Sequence, residues 1–388
     1  MKPQDFTDAT RISCVRQPEG YWAFIPPVLP PSLELDWKLA SLMSEADRAM
    51  AELSGAGRLL PNPHLLIRPY LRREAVLSSM IEDTIAEVDE LLLFEVEPET
   101  EPPRADIREV ANHVTALETG IRKLEELPIS SRLICELHRI LLQSVRGGHS
   151  NKTPGEYRRS QNWIGRPGCN LNEATYVPPP PEELSRLLSD LENFIHGDTD
   201  EPDLVKCALL HYQFEAIHPF LDGNGRIGRL LVTLFLCSRG ALSQPLLYLS
   251  GFFEEHRDEY YRRLLAVSLE GDWLGWLFYF LTGVREQARA ALNDTKAILA
   301  LYEMRRREMN EAKRVPSAAA GILDALFASP MISIPRHCEM TGQSFHVVSK
   351  GIDFWEGRGL LREITGNQRN RIFVAGEILQ LMAPKKSK

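Results

Sequence analysis

Long apolar runs are missing from this chain of 388 residues. Its most apolar short stretch, residues 273–281, is interrupted by Gly275 and falls far short of the roughly 20 residues that cross a bilayer. No apolar stretch follows the N-terminal MKPQDFTDATRISC, so no secretory signal is expected there. Cysteine is scarce and scattered. The six residues at 14, 135, 169, 207, 237 and 338 form no CxxC pair, which argues against a zinc ribbon or a dithiol redox site and fits a reducing cytoplasm. An excess of basic charge is lacking too. At a net charge of −8 the whole chain exerts no general pull on nucleic acid or on an anionic membrane, and no membrane partner is expected. Internal repeats are absent. What is present, 44% hydrophobic and 25% charged residues, is the composition of a globular protein with chain enough for two or three domains and a core that needs no staples.

Residues 1–33 are rich in proline and aromatics and end in PPVLPP, which reads as an extended arm. Apolar residues then recur at helical spacing over 32–56, 69–94, 107–124 and 130–144, with an acidic, proline-broken loop at 95–104. Residues 145–181 differ: Gly, Asn and Pro surround two short β-prone stretches, QNWIG and ATYVP, as in a hairpin-like excursion. Helices resume at 181–196, 202–217 and 225–239, the last stopped by Gly240, and continue to about residue 314. Residues 315–380 carry the order helix, short apolar stretch, two helices, then LLREI and RIFVA around the turn TGNQRN, which resembles a winged helix. The tail 381–388 is expected to be disordered.

Chemistry concentrates in residues 218–229, HPFLDGNGRIGR. Leu204, Cys207, Ala208, Leu210, Phe214 and Ile217 give the preceding segment a buried helical face, and Pro219 forces a turn at His218. Ile227, Leu230, Leu231, Leu234 and Phe235 begin a new helix. The loop therefore delivers two glycines and an asparagine to a helix N-terminus, where free amides and the positive dipole end favour an anion. Arg226 and Arg229 lie one helical turn apart and can grip the same phosphate group. Asp222 is a carboxylate for a divalent ion that arrives with a polyphosphate, and His218 can act as a base near neutrality. Residues 223–228 also fit the GxGxxG dinucleotide pattern. A helix rather than a strand precedes them, however, and residues 244–250 hold no acid for a ribose, so that reading is rejected.

This segment resembles the Fic motif HxFx[DE]GNGRxxR with every defining position filled, and residues 32–281 around it resemble bacterial Fic proteins with an N-terminal inhibitory segment. The resemblance implies a mainly α fold: a helical Fic core with a short β-hairpin flap, followed by the small winged-helix (α+β) domain. The implied division is an arm and inhibitory segment over 1–105, a core over 106–314, the winged-helix-like domain over 315–380, and the tail. It implies a protein adenylyltransferase that uses ATP and Mg²⁺. His218 would deprotonate a target hydroxyl and Asp222 would hold Mg²⁺. Asn224, Arg226 and the loop amides (Gly223, Gly225, Ile227, Gly228) would bind phosphates, and Arg229 the γ-phosphate.

Ser78 and Glu82, four apart on a helical pattern, resemble the family's inhibitory motif [ST]xxxE[GN], in which the glutamate pairs with the second loop arginine, here Arg229. Asp83 departs from the usual Gly or Asn. The excursion 153–180 matches the place of the family's flap, with Asn162, Trp163, Ile164, Tyr176 and Val177 as candidate lining for a target backbone. Tyr260 or Tyr261 would stack on adenine. Implied partners are a protein with an exposed Ser, Thr or Tyr hydroxyl, the chain itself as substrate, and a second copy reached by the arm.

From residue 331 onward nine Lys and Arg stand against five Asp and Glu, so residues 315–380 could contact DNA, with 344–355 as reading helix, or another protein. Three readings stay open at this level. They are AMP transfer to protein hydroxyls, removal of AMP or transfer of another phosphate-containing group by the same loop, and regulation through DNA. The intact loop favours the first.

Overall fold

The computed structural model describes residues 1–34, 36–58, 64–96, 105–145, 152–367 and 370–382. Within them the expected helical periodicities become fifteen α-helices, with five short strands. The first half holds β1 (Cys14–Arg16), β2 (Trp22–Phe24), α1 (Trp37–Arg58), α2 (His64–Ile81), α3 (Val88–Val96), α4 (Ala105–Lys123) and α5 (Ser131–Leu141). Next come α6 (Leu184–His196), α7 (Asp203–Ile217), α8 (Asn224–Ser238), α9 (Ser250–Glu255), α10 (Arg257–Glu270) and the long α11 (Trp273–Asn310). The C-terminal part holds α12 (Ala319–Ala328), β3 (Met331–Ser333), α13 (Ile334–Thr341), α14 (Phe345–Glu356), β4 (Arg362–Glu363), β5 (Ile372–Val374) and α15 (Gly376–Met382).

Helix α7 is the axis of the core. It buries nearly every side chain, polar Lys206, His211 and Gln213 included, as a helix apolar all round must. It packs on α8, α6, α10 and α11, and Trp276 of α11 donates its indole N–H to the Ala208 carbonyl at 2.9 Å. Phe214 and Phe220 are buried at the α7–α8 connection with ring centroids 6.5 Å apart, and Phe235 is buried further along α8. Truncating any one of them to alanine costs about 3–5 kcal/mol.

Four expectations are modified. The helix expected over 69–94 is two helices. Asp83 takes φ 60°, which ends α2 at Ile81, and the chain re-enters helix at Val88. Aspartate is one of the few non-glycine residues that visits the left-handed region readily. The arm is not merely draped. β1 and β2 pair antiparallel, Cys14 with Phe24, and Phe6, Cys14 and Phe24 enter the core. It grips its own chain: the Met1 ammonium donates to the Ala174 carbonyl at 2.7 Å and Phe24 N–H to the Val177 carbonyl at 2.9 Å. The flap is a single antiparallel bridge, Ile164 with Tyr176, rather than a hairpin ladder. Prolines at 167 and 178–181 remove the donors a longer ladder would need. Helix α14 turns Val348, Ile352, Phe354 and Trp355 inward, leaving Phe345, His346 and Lys350 on the outside.

The C-terminal strands form an antiparallel sheet of order β3-β5-β4, with Ile332 opposite Phe373 and Arg362 opposite Val374. This part is not detached. α12 packs on α2, and Arg305 of α11 pairs with Glu377 at 2.6 Å. Most of the acidic loop 95–104 and the tail from residue 383 lie outside the described residues. Among those described, no helix is long and apolar enough to cross a membrane.

Candidate active site

Residues 218–229 join α7 to α8. His218 closes α7 in the left-handed conformation (φ 49°, ψ 59°), its N–H bonded to the Phe214 carbonyl at 3.0 Å. A bulky residue is rarely held there, and such strain gathers at functional sites. Its Nδ1 faces the Glu215 carbonyl at 3.3 Å. A carbonyl only accepts, so the proton sits on Nδ1 and Nε2 keeps its lone pair. Burial and the neighbouring Arg158 charge lower the His218 pKa to about 4, against the opposing pull of the Glu215 carbonyl, Glu82 and Asp222. The imidazole is therefore a neutral base at physiological pH.

Gly223 (φ 77°) opens α8. The first helical bond runs from Ile227 N–H to the Gly223 carbonyl at 3.0 Å, so the amides of Asn224, Gly225 and Arg226 point past the helix end. Asn224 is buried and its side chain is committed to the loop. It accepts from Phe220 N–H and donates to the Phe220 carbonyl, each at 2.8 Å. It shapes the cradle rather than lining it. Ile227 belongs to the core, and Gly228 is where α7 comes closest, because a Cβ there would overlap the Glu215 carboxylate.

The two arginines are buried and paired. Arg226 reaches Glu109 of α4 at 3.1 Å and Asp222 at 3.5 Å. Arg229 donates from Nε to the Ser78 hydroxyl at 2.8 Å, and from a terminal nitrogen to the Ser78 carbonyl and to Glu82 Oε1, both at 2.9 Å. Burial alone would lower the Arg229 pKa, but Glu82, Tyr260 and Glu215 raise it above its ordinary value. A Cβ on Gly225 would overlap that same Glu82 oxygen. The Glu82 carboxylate thus lies against the N-terminus of α8, where an anion is favoured. Asp83 turns away and pairs with Arg257 at 2.7 Å.

Asp222 accepts from Gly223 N–H at 2.7 Å and from the Lys152 ammonium at 2.7 Å. Burial raises its pKa, but these two donors and Arg226 outweigh that and hold it below the usual carboxylate value. An ammonium already seated on a partly exposed carboxylate shows that the position accepts a cation. Among the described residues no cluster of three or more His, Cys, Asp or Glu could hold a metal by itself. A single carboxylate suits an ion whose other ligands are phosphate oxygens and water.

Against known proteins, the model of the Fic/DOC family matches residues 128–236, and that of the Fic/DOC family N-terminal region matches residues 40–122. The chain is a Fic/DOC family protein.

Its relatives include protein adenylyltransferase Fic of Drosophila melanogaster, 33% identical over 153 residues, which are 38% of this chain and 27% of that protein. A probable protein adenylyltransferase of Aquifex aeolicus is 30% identical over 179 residues, 45% of this chain and 50% of that protein. The match thus spans between about a quarter and a half of these relatives' length. The Fic fold extends further. A Fic family protein from Desulfovibrio desulfuricans G20 superposes with TM-score 0.56 at 19% identity, over 89% of this chain and 98% of that one. Fic-1 (residues 134–508) from C. elegans superposes with TM-score 0.52 at 20% identity, over 67% of this chain and 74% of that one.

Around the Fic loop the structure adds residues that sequence reasoning missed. Arg158, 2% exposed, donates to the carbonyls of His218 (2.9 Å), Pro179 (2.5 Å), Ile217 (3.4 Å) and Ser160 (3.4 Å). It ties the His218 turn to both limbs of the flap. Asn162, already a candidate from the sequence for lining a target backbone, instead ties the flap to the loop, donating to the Phe220 carbonyl at 2.9 Å. Trp163 and Ile164 are exposed, whereas Tyr176 and Val177 turn inward, Tyr176 bonding the Ala216 carbonyl at 2.7 Å. Glu109, Lys152 and His138 had no motif to reveal them. The tyrosine pair separates. Tyr260 is 1% exposed, stacked on Phe253 and bonded to His211 at 2.9 Å, so it belongs to the core and not to a nucleotide slot. Tyr261 is 44% exposed and donates to the Ile81 carbonyl at 3.2 Å, one residue before Glu82.

Proposed function

We propose that this Fic protein transfers AMP from ATP to a Ser, Thr or Tyr hydroxyl of a target protein and of itself, and that Glu82 restrains the reaction. The observation that carries the reading is the Glu82 carboxylate on Arg229 and Gly225, at the N-terminus of α8. A carboxylate occupies the place built for a phosphate, so the site and its restraint share one geometry. The named adenylyltransferase relatives support the activity.

In the proposed reaction the amides of Asn224 and Gly225, with Arg226, hold the α- and β-phosphates, and Arg229 holds the γ-phosphate once Glu82 has left. Asp222 would anchor Mg²⁺, which neutralises charge on the polyphosphate. Tyr261 lies on the exposed side for the base. A target backbone would lie along the flap edge at Trp163 and Ile164, setting its hydroxyl near His218. His218 Nε2 takes the hydroxyl proton as the oxygen attacks the α-phosphorus. The bond from the α-phosphorus to the α–β bridging oxygen breaks, pyrophosphate leaves, and AMP remains on the target as a phosphodiester. The protein's part is positioning and charge stabilisation.

The test is incubation with Mg²⁺ and ATP labelled at the α-phosphate. Glu82→Gly should acquire label on the protein well above wild type, and His218→Ala none. A Glu82→Gly protein that is folded and binds ATP but stays unlabelled, alone and with candidate targets, would refute AMP transfer.

A further inference from the structure

The turn that carries Lys152 is built against the Fic loop. Gly155 N–H donates to His138 Nδ1 at 2.9 Å, which leaves the proton on Nε2, and Nε2 donates to the Asp222 carbonyl at 2.9 Å. The His138 ring lies flat on Phe220, centroids 3.7 Å apart. Gly155 has φ 85°, and a Cβ on it would stand 2.9 Å from Arg139 Cβ, so only glycine lets the turn settle this close to α5. One imidazole therefore locks the turn at the start of the flap to the backbone of Asp222. From that turn Lys152 Nζ reaches Asp222 Oδ2 at 2.7 Å, across 70 positions of sequence.

We propose that Lys152 is an exchangeable counter-ion for Asp222. Its ammonium fills the cation position of the Fic loop in the nucleotide-free protein, so that a bare divalent ion is held weakly and a nucleotide-borne one is admitted. The inference rests on the reading of Asp222 as the metal carboxylate.

Three features support exchange rather than a fixed ion pair. The Lys152 and Asp222 side chains are 39% and 31% exposed, open to a hydrated ion, whereas Arg226 beside them is 4% exposed and clamped to Glu109. Lysine offers a point charge on a flexible stem and, among the described residues, makes one bond here, which is easier to withdraw than a forked guanidinium. The charges also balance: Asp222 and Glu109 face Arg226 and Lys152. A lone divalent ion that displaced Lys152 would leave this pocket with surplus positive charge, which a polyphosphate arriving with the ion would offset. Lys152 would thus make metal entry conditional on nucleotide.

The experiment is Mn²⁺ binding to the full-length protein without nucleotide, followed by the paramagnetic resonance of free Mn²⁺. Lys152→Met should bind Mn²⁺ about tenfold more tightly than wild type, and Lys152→Arg should behave like wild type. Lys152→Gln is the companion should the methionine variant fold poorly. Adding Asp222→Asn should abolish the gain. Mn²⁺ binding in the neutral variants equal to or weaker than wild type would overturn the counter-ion role. A gain that survives Asp222→Asn would place the ion elsewhere and overturn the assignment of Asp222 as well. Because the readout is ion binding, a failure of AMP transfer leaves it intact and is told apart from either result.

Discussion

His218 shows how one residue's backbone and charge are set together. The proline after it ends α7, the left-handed turn aims the imidazole out of the helix, and the Arg158 guanidinium behind it disfavours the imidazolium. With its pKa lowered to about 4, the base is neutral above that value and is lost as pH falls through it. In Glu82→Gly the acid limb of the labelling rate should therefore lie well below the 6.5 of an ordinary histidine, as a pH series would read. Glu215 titrates in the opposite direction. Desolvation lifts its carboxyl to about 8, against Arg229 and helped by Glu82. A carboxyl whose folded pKa is raised contributes stability that is complete below its unfolded pKa and is lost as pH rises through the folded value. Thermal melting of wild type should decline between about pH 5 and 8, and Glu215→Gln should flatten that decline. Residue identities in the 218–229 motif were legible in the sequence. Their division of labour was not. Asn224 and Gly228 carry motif positions but serve the loop's shape and the α7–α8 approach, and Tyr260 and Tyr261, adjacent in sequence, point to core and surface.

Among elements, the flap and the α7–α8 loop behave as one unit because Arg158 bonds four carbonyls drawn from both. No carboxylate shares its guanidinium in these bonds, and burial lowers its pKa to about 10. Arg158→Met would leave buried carbonyls without donors, a loss of about 2–4 kcal/mol in stability by denaturant titration. In a Glu82→Gly background it should also cut the labelling rate by more than tenfold with ATP binding largely kept, since the His218 turn loses its anchor while the α8 N-terminus does not. Helical periodicity located most helices to within a few residues, because apolar faces are written locally. The break between α2 and α3 escaped it, since apolar residues continue through 82–87 at near-helical spacing and only the left-handed Asp83 stops the helix. Glu109 and Arg158 escaped it as well, being polar residues whose partners lie far away in sequence.

Across the whole molecule, α2 packs both on α8 of the Fic loop and on the C-terminal helices α12 and α15. At its middle Arg72 pairs with Glu95 of α3 at 2.6 Å and donates to the Ala328 carbonyl, at the end of α12, at 2.7 Å. Glu74 bonds Ser250 of α9, and at the far end Ser78 and Glu82 hold Arg229. The Ser78 and Glu82 contacts to Arg229, proposed above to restrain the reaction, are therefore buttressed by the part of the chain that a winged-helix reading would give to DNA or protein. Removing residues 315–388 should lower the melting temperature and raise self-labelling in the wild-type Fic core. Unchanged labelling would mean that α4 and α9 hold α2 unaided. The order of elements after residue 315 was legible in the sequence, but their docking on α2 was not, because it depends on which faces α12 and α2 present to each other. The most direct measurement on the intact chain is its mass after Glu82→Gly protein is incubated with Mg²⁺ and ATP. A gain of one adenylyl group, absent when His218→Ala is added, is the expected result. A gain of a phosphoryl group, or none while ATP is bound, would contradict adenylyl transfer.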